Sequence, residues 1–140
     1  MNFPPMQKTL LIVDDDPDDI QLFCEAVTEI SKTFHCFSAG NGEEALQLLN
    51  VTIVKPDFIF LDLNMPRMSG KQCLIQLKNN PQFANIPVII YSTSKIEKDI
   101  EDSLRLGAVS FITKPNKFEE LVKAISDILA GKREMSDAHK

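Results

Sequence analysis

Residues 58–70 read FIFLDLNMPRMSG, and this stretch decides the fold because an uninterrupted apolar run turns directly into a polar loop. Its first part, residues 58–61, has the composition of a strand that is covered on both faces of a parallel sheet. Asp62 follows at once, so a single carboxylate stands where the strand gives way to the loop. We therefore predict a central strand whose carboxyl end presents Asp62 as a candidate functional group.

A second apolar run, residues 10–13, ends in three consecutive acids, Asp14, Asp15 and Asp16. Neighbouring parallel strands end at the same edge of a sheet, so we expect Asp14 and Asp15 to lie near Asp62. Two carboxylates about 4 Å apart repel by roughly 4 kcal/mol at an effective dielectric of about 20. A hard divalent cation such as Mg²⁺ relieves this repulsion and keeps positions for water and phosphate oxygens. The pattern predicts a metal site that receives a phosphoryl group.

Short apolar runs alternate with helical patterns along the chain, which is typical of repeated strand-helix units. Runs 10–13, 58–61 and 88–91 are purely apolar, whereas runs 34–38 and 109–112 contain polar residues and fit edge strands. This composition predicts an α/β fold, a doubly wound five-stranded parallel sheet of order 2-1-3-4-5 in a flavodoxin-like three-layer sandwich. Ligands of such sheets bind beyond the carboxyl ends of the strands, where the acids lie.

Each predicted helix begins with a residue that can cap its first turn. Asp16 precedes Pro17, and Asn41 stands three residues before Glu44, the spacing of a capping box. Gly107 supplies the stop after the fourth helix. The remaining predicted N-caps are Ser69, Ser94 and Asn116.

Length and composition indicate a single globular domain. The 140 residues, 44% of them hydrophobic, suffice for one continuous core, which we place at residues 8–131 between flexible termini at 1–7 and 132–140. The net charge of −5 disfavours binding to nucleic acid or anionic lipid. No apolar run approaches the roughly 20 residues that span a bilayer, and the first residues lack a signal-peptide pattern, so we expect a cytoplasmic protein.

Three cysteines, Cys24, Cys36 and Cys73, are widely spaced and form no C-x-x-C pair. Cys24 and Cys73 fall at apolar positions of helical patterns. We therefore interpret the cysteines as reduced thiols of a cytosolic protein that serve the core rather than redox chemistry.

Five features stand in order along the chain, namely Val13-Asp14-Asp15, Asp62 with Met65-Pro66 and Gly70 after it, Ser92, Phe111, and Lys114-Pro115. Taken together, they make the chain resemble a response-regulator receiver domain of bacterial two-component signalling. The resemblance covers residues 8–131 and extends in particular to the stand-alone regulators that partner phytochrome-type sensor kinases. Those regulators share the acidic start at residues 14–19 and a lengthened segment like residues 79–85.

The resemblance implies a role for each residue of the site. Asp62 would accept the phosphoryl group of a kinase histidine and form an aspartyl phosphate. Mg²⁺, which Mn²⁺ can replace, would be bound by Asp14, Asp15, Asp62 and the backbone carbonyl of Asn64, with Asp14 acting mostly through a coordinated water. Lys114 would pair with Asp62 at rest and with a phosphoryl oxygen afterwards.

The resemblance also implies a switch. Ser92 would donate its hydroxyl to a phosphoryl oxygen, and Phe111 would move into the space that the hydroxyl leaves. Phe111 has no phenolic hydroxyl, so it would signal by packing alone. A cis bond at Lys114–Pro115 would aim the lysine. The changed surface would be the face of helix 4, strand 5 and helix 5, through which the protein would act as a monomer or a homodimer.

The predicted function is a phosphorylation-driven switch without an attached effector domain and without enzymatic activity beyond its own phosphorylation and dephosphorylation. Its partners would be a sensor histidine kinase and, as a further candidate, a histidine phosphotransfer protein. One alternative is a phosphatase of the haloacid dehalogenase type, but such enzymes place a general acid two residues after the nucleophile, where this chain has Asn64. A second alternative is a receiver-like scaffold that binds partners without phosphorylation.

The remaining acids of the first predicted helix, Asp16, Asp18 and Asp19, have a simpler interpretation. Acidic side chains in a first helical turn gain roughly 0.3 to 1 kcal/mol from the helix dipole without any ligand. We therefore predict that they stabilise the helix and take no part in the site.

Overall fold

The computed structural model describes residues 7–131, which form a five-stranded parallel sheet flanked by five helices. The predicted flexible termini, residues 1–7 and 132–140, lie outside the described residues apart from Gln7. The elements in chain order are β1 (Thr9–Val13), α1 (Pro17–Ile30), β2 (His35–Ala39), α2 (Gly42–Val51), β3 (Phe58–Leu61), α3 (Gly70–Asn79), β4 (Val88–Ser92), α4 (Glu97–Arg105), β5 (Ser110–Thr113) and α5 (Phe118–Leu129). The strand order β2-β1-β3-β4-β5 confirms the prediction, and every neighbouring pair is parallel.

The sheet separates two apolar cores, because successive residues of a strand face opposite sides. In β1, Leu10 and Ile12 pack in the core under α1 and α5, whereas Leu11 and Val13 pack in the core under α2 and α3. All four are fully buried, which explains the purely apolar composition of this central strand and confirms the three-layer architecture. None of the helices within residues 7–131 is long and apolar enough to cross a membrane.

Three of the predicted helix caps are confirmed. The side chains of Asp16, Asn41 and Ser69 each accept a hydrogen bond from a backbone N–H in the first turn of the helix that follows. At Ser69 the capping box is complete, because the Gln72 side chain accepts in turn from the Ser69 backbone N–H. These three caps fix where α1, α2 and α3 begin relative to the strand ends.

The two caps predicted at Ser94 and Asn116 are wrong. The N-cap of α4 is Ile96 and that of α5 is Lys117, and neither makes a side-chain cap hydrogen bond. Ser94 lies three residues before the first residue of α4, and its hydroxyl accepts from the N–H of Ile96, which precedes the helix, while it donates to Asp99 Oδ2 at 2.6 Å. At α5 the difference is one residue, a shift that helix ends commonly show.

Gly107 ends α4 as predicted. Its φ of +114° lies in the region that only glycine adopts without strain. Its N–H donates to the carbonyl of Leu104, and the next N–H, from Ala108, donates to Ser103. The chain thereby turns directly from α4 into β5.

Candidate functional site

Three acids meet at the carboxyl ends of β1 and β3. Asp14, Asp15 and Asp62 each offer a carboxylate oxygen, and these oxygens lie within 4.8 Å of one another. The backbone fixes two of them, because the N–H of Asp62 donates to Val13 at 3.0 Å and that of Asp14 donates to Ala39 at 3.1 Å. Asp14 and Asp62 are buried, whereas Asp15 is exposed. The predicted convergence of these acids is therefore confirmed.

Lys114, just beyond β5, is the cation of the site, and its closest partners differ from the prediction. Its Nζ lies 2.7 Å from Asp14 Oδ2 and 2.8 Å from Asp19 Oδ2, but 3.8 Å from Asp62 Oδ2. The predicted pair with Asp62 is thus present but loose. The two short contacts bind the lysine to the first turn of α1 and the end of β1 instead.

Asp19 is a site residue that the sequence interpretation missed. The sequence predicts only that Asp19 stabilises α1 through the helix dipole, yet its carboxylate also accepts a hydrogen bond from Lys114 Nζ. The pattern contains a signal that identifies it, because Phe23 and Ala26 of the buried helix face follow Asp19 by four and seven residues. The same phase places Asp18 on the exposed side.

Lys114 is positioned by its backbone rather than by a cis proline. Its N–H donates to the carbonyl of Ser92 at 2.7 Å, which continues the pairing of β4 and β5 beyond their last residues. The cis bond expected at Lys114–Pro115 is not found, because every peptide bond within residues 7–131 is trans. The trans form is favoured by roughly 0.5 to 1 kcal/mol before proline, and the long lysine side chain reaches both carboxylates from it.

The electrostatics of the pocket favour an added cation. Burial raises the pKa of Asp62 to about 6, the charge of Lys114 opposes this rise, and the charge of Asp14 adds to it. Burial also raises the pKa of Asp14 above its ordinary value, although Lys114 and a backbone hydrogen bond from Asp16 counteract it. For Lys114, burial would lower the pKa, but the hydrogen bonds to Asp14 and Asp19 outweigh it and keep the ammonium charged. One cation therefore faces several carboxylates that burial makes hard to ionise together.

The backbone of the loop after β3 lies close to Asp62. The backbone N–H groups of Asn64 and Leu63 act to lower the pKa of the Asp62 carboxyl and so oppose part of the effect of burial. The loop closes where the N–H of Gly70 donates to the carbonyl of Leu63 at 2.8 Å. A Cβ at Gly70 would lie 2.1 Å from the carbonyl oxygen of Asp62, so this close approach requires glycine. Asn64 is exposed at the mouth of the pocket, and its predicted role as a carbonyl ligand stays a prediction.

The two predicted switch residues face the same side of the sheet. Phe111 pairs with Ile90, both pack in the core under α2 and α3, and Ser92 lies two residues beyond Ile90 on the same face of β4. Ser92 is fully buried, and its hydroxyl accepts from the N–H of Ser94 at 3.2 Å. Phe111 is also buried. Their switching role stays a prediction.

Comparison with known proteins agrees with this geometry. Residues 10–126 match the family described as Response regulator receiver domain. The crystal structure of the phosphorylated cyanobacterial phytochrome response regulator RcpA superposes with a TM-score of 0.82 at 31% identity, covering 91% of this chain and 97% of that one.

Two further relatives are of similar length. Response regulator Rcp1 of Synechocystis is 29% identical over 130 residues, covering 89% of this chain and 87% of Rcp1. The crystal structure of its Mn²⁺-bound form has a TM-score of 0.77 at 28% identity, over 88% of this chain and 92% of that one. Protein PilH of Pseudomonas aeruginosa is 35% identical over 123 residues, covering 87% of this chain and 98% of PilH.

Other curated relatives are longer. The chain spans 28% of a probable cyclic di-GMP phosphodiesterase from Vibrio cholerae, at 33% identity over 127 residues that cover 91% of this chain. It spans 50% of the probable C4-dicarboxylate response regulator DctR from Bacillus subtilis, at 32% identity over 116 residues that cover 83% of this chain. The chain therefore spans half or less of the length of these two relatives.

Proposed function

Because the chain belongs to the response-regulator receiver-domain family, we propose that Asp62 accepts a phosphoryl group from a sensor histidine kinase and that the aspartyl phosphate alters the surface offered to partners. The observation that carries this proposal is the meeting of Asp14, Asp15 and Asp62 within 4.8 Å, with Lys114 beside them. A buried carboxylate becomes a competent acceptor when the charge of the incoming phosphoryl group is offset.

The donor set fits a hard divalent ion. Carboxylate and carbonyl oxygens are the ligands that Mg²⁺ prefers, and Mn²⁺ accepts the same ones. Asp14, Asp15 and Asp62 would hold the ion together with the carbonyl of Asn64. When bound, it would supply charge neutralisation for the carboxylates and for the transferred group. We assign Mg²⁺ as the natural ion.

Lys114 and Ser92 would bind the phosphoryl oxygens. The lysine Nζ, only 3.8 Å from Asp62, needs a small shift to donate to an oxygen attached there. The Ser92 hydroxyl uses its oxygen as an acceptor at rest, so its proton is available for donation to the phosphoryl group. That donation would change the hydrogen bond from the Ser94 N–H to the Ser92 hydroxyl. The Ser94 hydroxyl in turn donates to Asp99 of α4. Phosphorylation would therefore reach α4 and the packing of Phe111.

The altered surface would be the face formed by α4, β5 and α5. Four apolar side chains are exposed along or beside these elements, namely Ile96, Leu104, Val109 and Phe118. These side chains would supply apolar contact area to a partner that binds this face. The face would serve the kinase, a histidine phosphotransfer protein or a second copy of the chain.

Chemical phosphorylation tests the proposal. The purified chain is incubated with acetyl phosphate and MgCl₂, and intact-mass spectrometry should show one addition of about 80 Da. Asp62→Asn should show none. Asp57→Asn is the matched control, because Asp57 lies just before the other end of β3 and its side chain accepts only from the backbone N–H of Thr9 among the hydrogen bonds described. An unmodified wild type, or equal labelling of Asp62→Asn, would refute the proposal.

A second measurement separates the switch from the alternatives. Light scattering with and without acetyl phosphate measures partner binding or dimerisation. Either should change on phosphorylation. A response that is independent of phosphate would favour the scaffold. Sustained turnover of unrelated phosphate esters would favour a phosphatase. The residue at the position of the general acid argues against this alternative, because the Asn64 amide cannot protonate a leaving group.

A further inference from the structure

Two of the three cysteines face each other outside the acidic pocket. Cys24 of α1 and Cys36 of β2 both pack beside the core under α1 and α5, and their Sγ atoms lie 2.7 Å apart. Both are free thiols and half-buried, whereas Cys73 is buried in the opposite core. The interpretation of all three as core residues therefore holds for Cys73 but leaves the close pair unexplained.

We propose that Cys24 and Cys36 are a redox modification site that closes to an intramolecular disulfide when hydrogen peroxide is the oxidant. A disulfide requires a sulfur separation of about 2.05 Å, so the two atoms need to approach by less than 1 Å. The pair joins a helix to the edge strand of the sheet, across 12 positions of sequence. Closure therefore constrains the described segment between them without any large backbone rearrangement.

The chemistry proceeds in two balanced steps. The Cys24 thiolate attacks one oxygen of the peroxide, the O–O bond breaks, and the released hydroxide takes a proton and leaves as water, which gives a sulfenic acid. Cys36 then attacks the sulfenic sulfur, the S–S bond forms, and the sulfenic hydroxyl leaves with the Cys36 proton as a second water. Two thiols are oxidised by two electrons, and one peroxide is reduced to two waters.

The surroundings favour Cys24 as the attacking thiol and a small uncharged oxidant. Cys24 lines a surface hollow together with Gln21, Glu25, Thr28 and Glu29, so reagents reach it from solvent. The two glutamates repel anionic disulfides such as oxidised glutathione but not hydrogen peroxide. The hydrogen bond with Cys36 lowers the pKa of Cys24 although burial opposes this, and the same contact with burial raises the pKa of Cys36. Cys36 is thus the resolving thiol.

Mass spectrometry of the whole chain tests the site. After treatment with dilute hydrogen peroxide, the wild-type chain should lose about 2 Da, the mass of two hydrogens, and regain it with dithiothreitol. Proteolysis without reduction should release one cross-linked peptide pair that contains Cys24 and Cys36. Cys73→Ser, which removes the remaining thiol, should behave like the wild type.

The single variants make the assignment specific. Cys36→Ser should stop at a sulfenic acid on Cys24 that dimedone traps, and Cys24→Ser should lose no mass at equal peroxide. Both should still be phosphorylated by acetyl phosphate, because neither residue belongs to the acidic pocket, so failure here is distinct from failure of the phosphoacceptor. The proposal is overturned if the wild type gains about 32 Da at Cys24 with Cys36 unchanged, or if the bridge forms between chains.

Discussion

Replacing Lys114 with methionine tests the electrostatics of the pocket most directly. The lysine Nζ bonds Asp14 and Asp19 and lies 3.8 Å from Asp62, so one ammonium faces three carboxylates. The Asp14 side chain is 0% exposed and that of Lys114 is 10% exposed. Methionine keeps an apolar stem of similar length, so the variant removes charge and little packing.

The expected loss of stability follows from burial. Removing one partner of a buried ion pair costs about 3 to 5 kcal/mol, because the other charge is left without compensation. The pair with Asp19 adds little, since that carboxylate is partly solvated at 29% exposure. We therefore expect Lys114→Met to lose about 3 kcal/mol of unfolding free energy in EDTA. A bound divalent ion neutralises the same carboxylates, so Mg²⁺ should restore much of this loss in proportion to the logarithm of its concentration.

Urea unfolding followed by circular dichroism measures the effect, in EDTA and across a magnesium series. Lys78→Met is the matched control, because Lys78 is also partly buried but donates to the carbonyls of Ala84 and Ile86 rather than to carboxylates. Its loss relative to the wild type should be the same at every magnesium concentration. The account of the pocket is wrong if Lys114→Met matches the wild type in EDTA, or if magnesium stabilises it no more than the wild type.

Two further predictions follow from the same pocket. The pKa of Asp62 is raised to about 6, so below that pH an incoming cation must displace the proton of this carboxyl. Calorimetry should therefore show the Mg²⁺ affinity falling about tenfold per pH unit below pH 6. Above pH 6 the affinity should no longer depend on pH. Gly70→Ala should lose more than about 2 kcal/mol in urea unfolding and label slowly with acetyl phosphate, because its Cβ would meet the Asp62 carbonyl at 2.1 Å. Gly40→Ala, whose Cβ would make only an ordinary 3.5 Å contact, should change neither measurement, and equal behaviour of the two variants would contradict the steric argument.

The sequence predicts the acidic cluster because its position depends only on where two strands end and on their pairing. Asp14 and Asp62 each end an apolar run, and parallel pairing of those runs brings their ends together whatever surrounds them. The caps at Asp16, Asn41 and Ser69 are equally local, since each bonds within the helix it begins. These features need no knowledge of how helices pack.

Two of the features that the sequence interpretation missed depend on packing between elements. Ser94 does not cap α4 but donates to Asp99, whose carboxylate is also bonded by Lys71 of the neighbouring α3. The close approach of Cys24 to Cys36 depends on how α1 lies across the sheet. No spacing along the chain encodes either contact, so composition and periodicity leave them open.

The contacts of Lys114 depend both on strand pairing and on packing between elements, and they bear on the proposed phosphorylation. A lysine bonded tightly to Asp62 would cover the oxygen that would attack phosphorus, whereas bonds to Asp14 and Asp19 hold the ammonium nearby and leave that oxygen without a close lysine contact. An ion bound to Asp14 would compete for the carboxylate oxygen that Lys114 contacts at 2.7 Å and so release the lysine toward Asp62. Asp19 would then be the last contact to break, which makes the first turn of α1 part of the proposed switch rather than a passive cap.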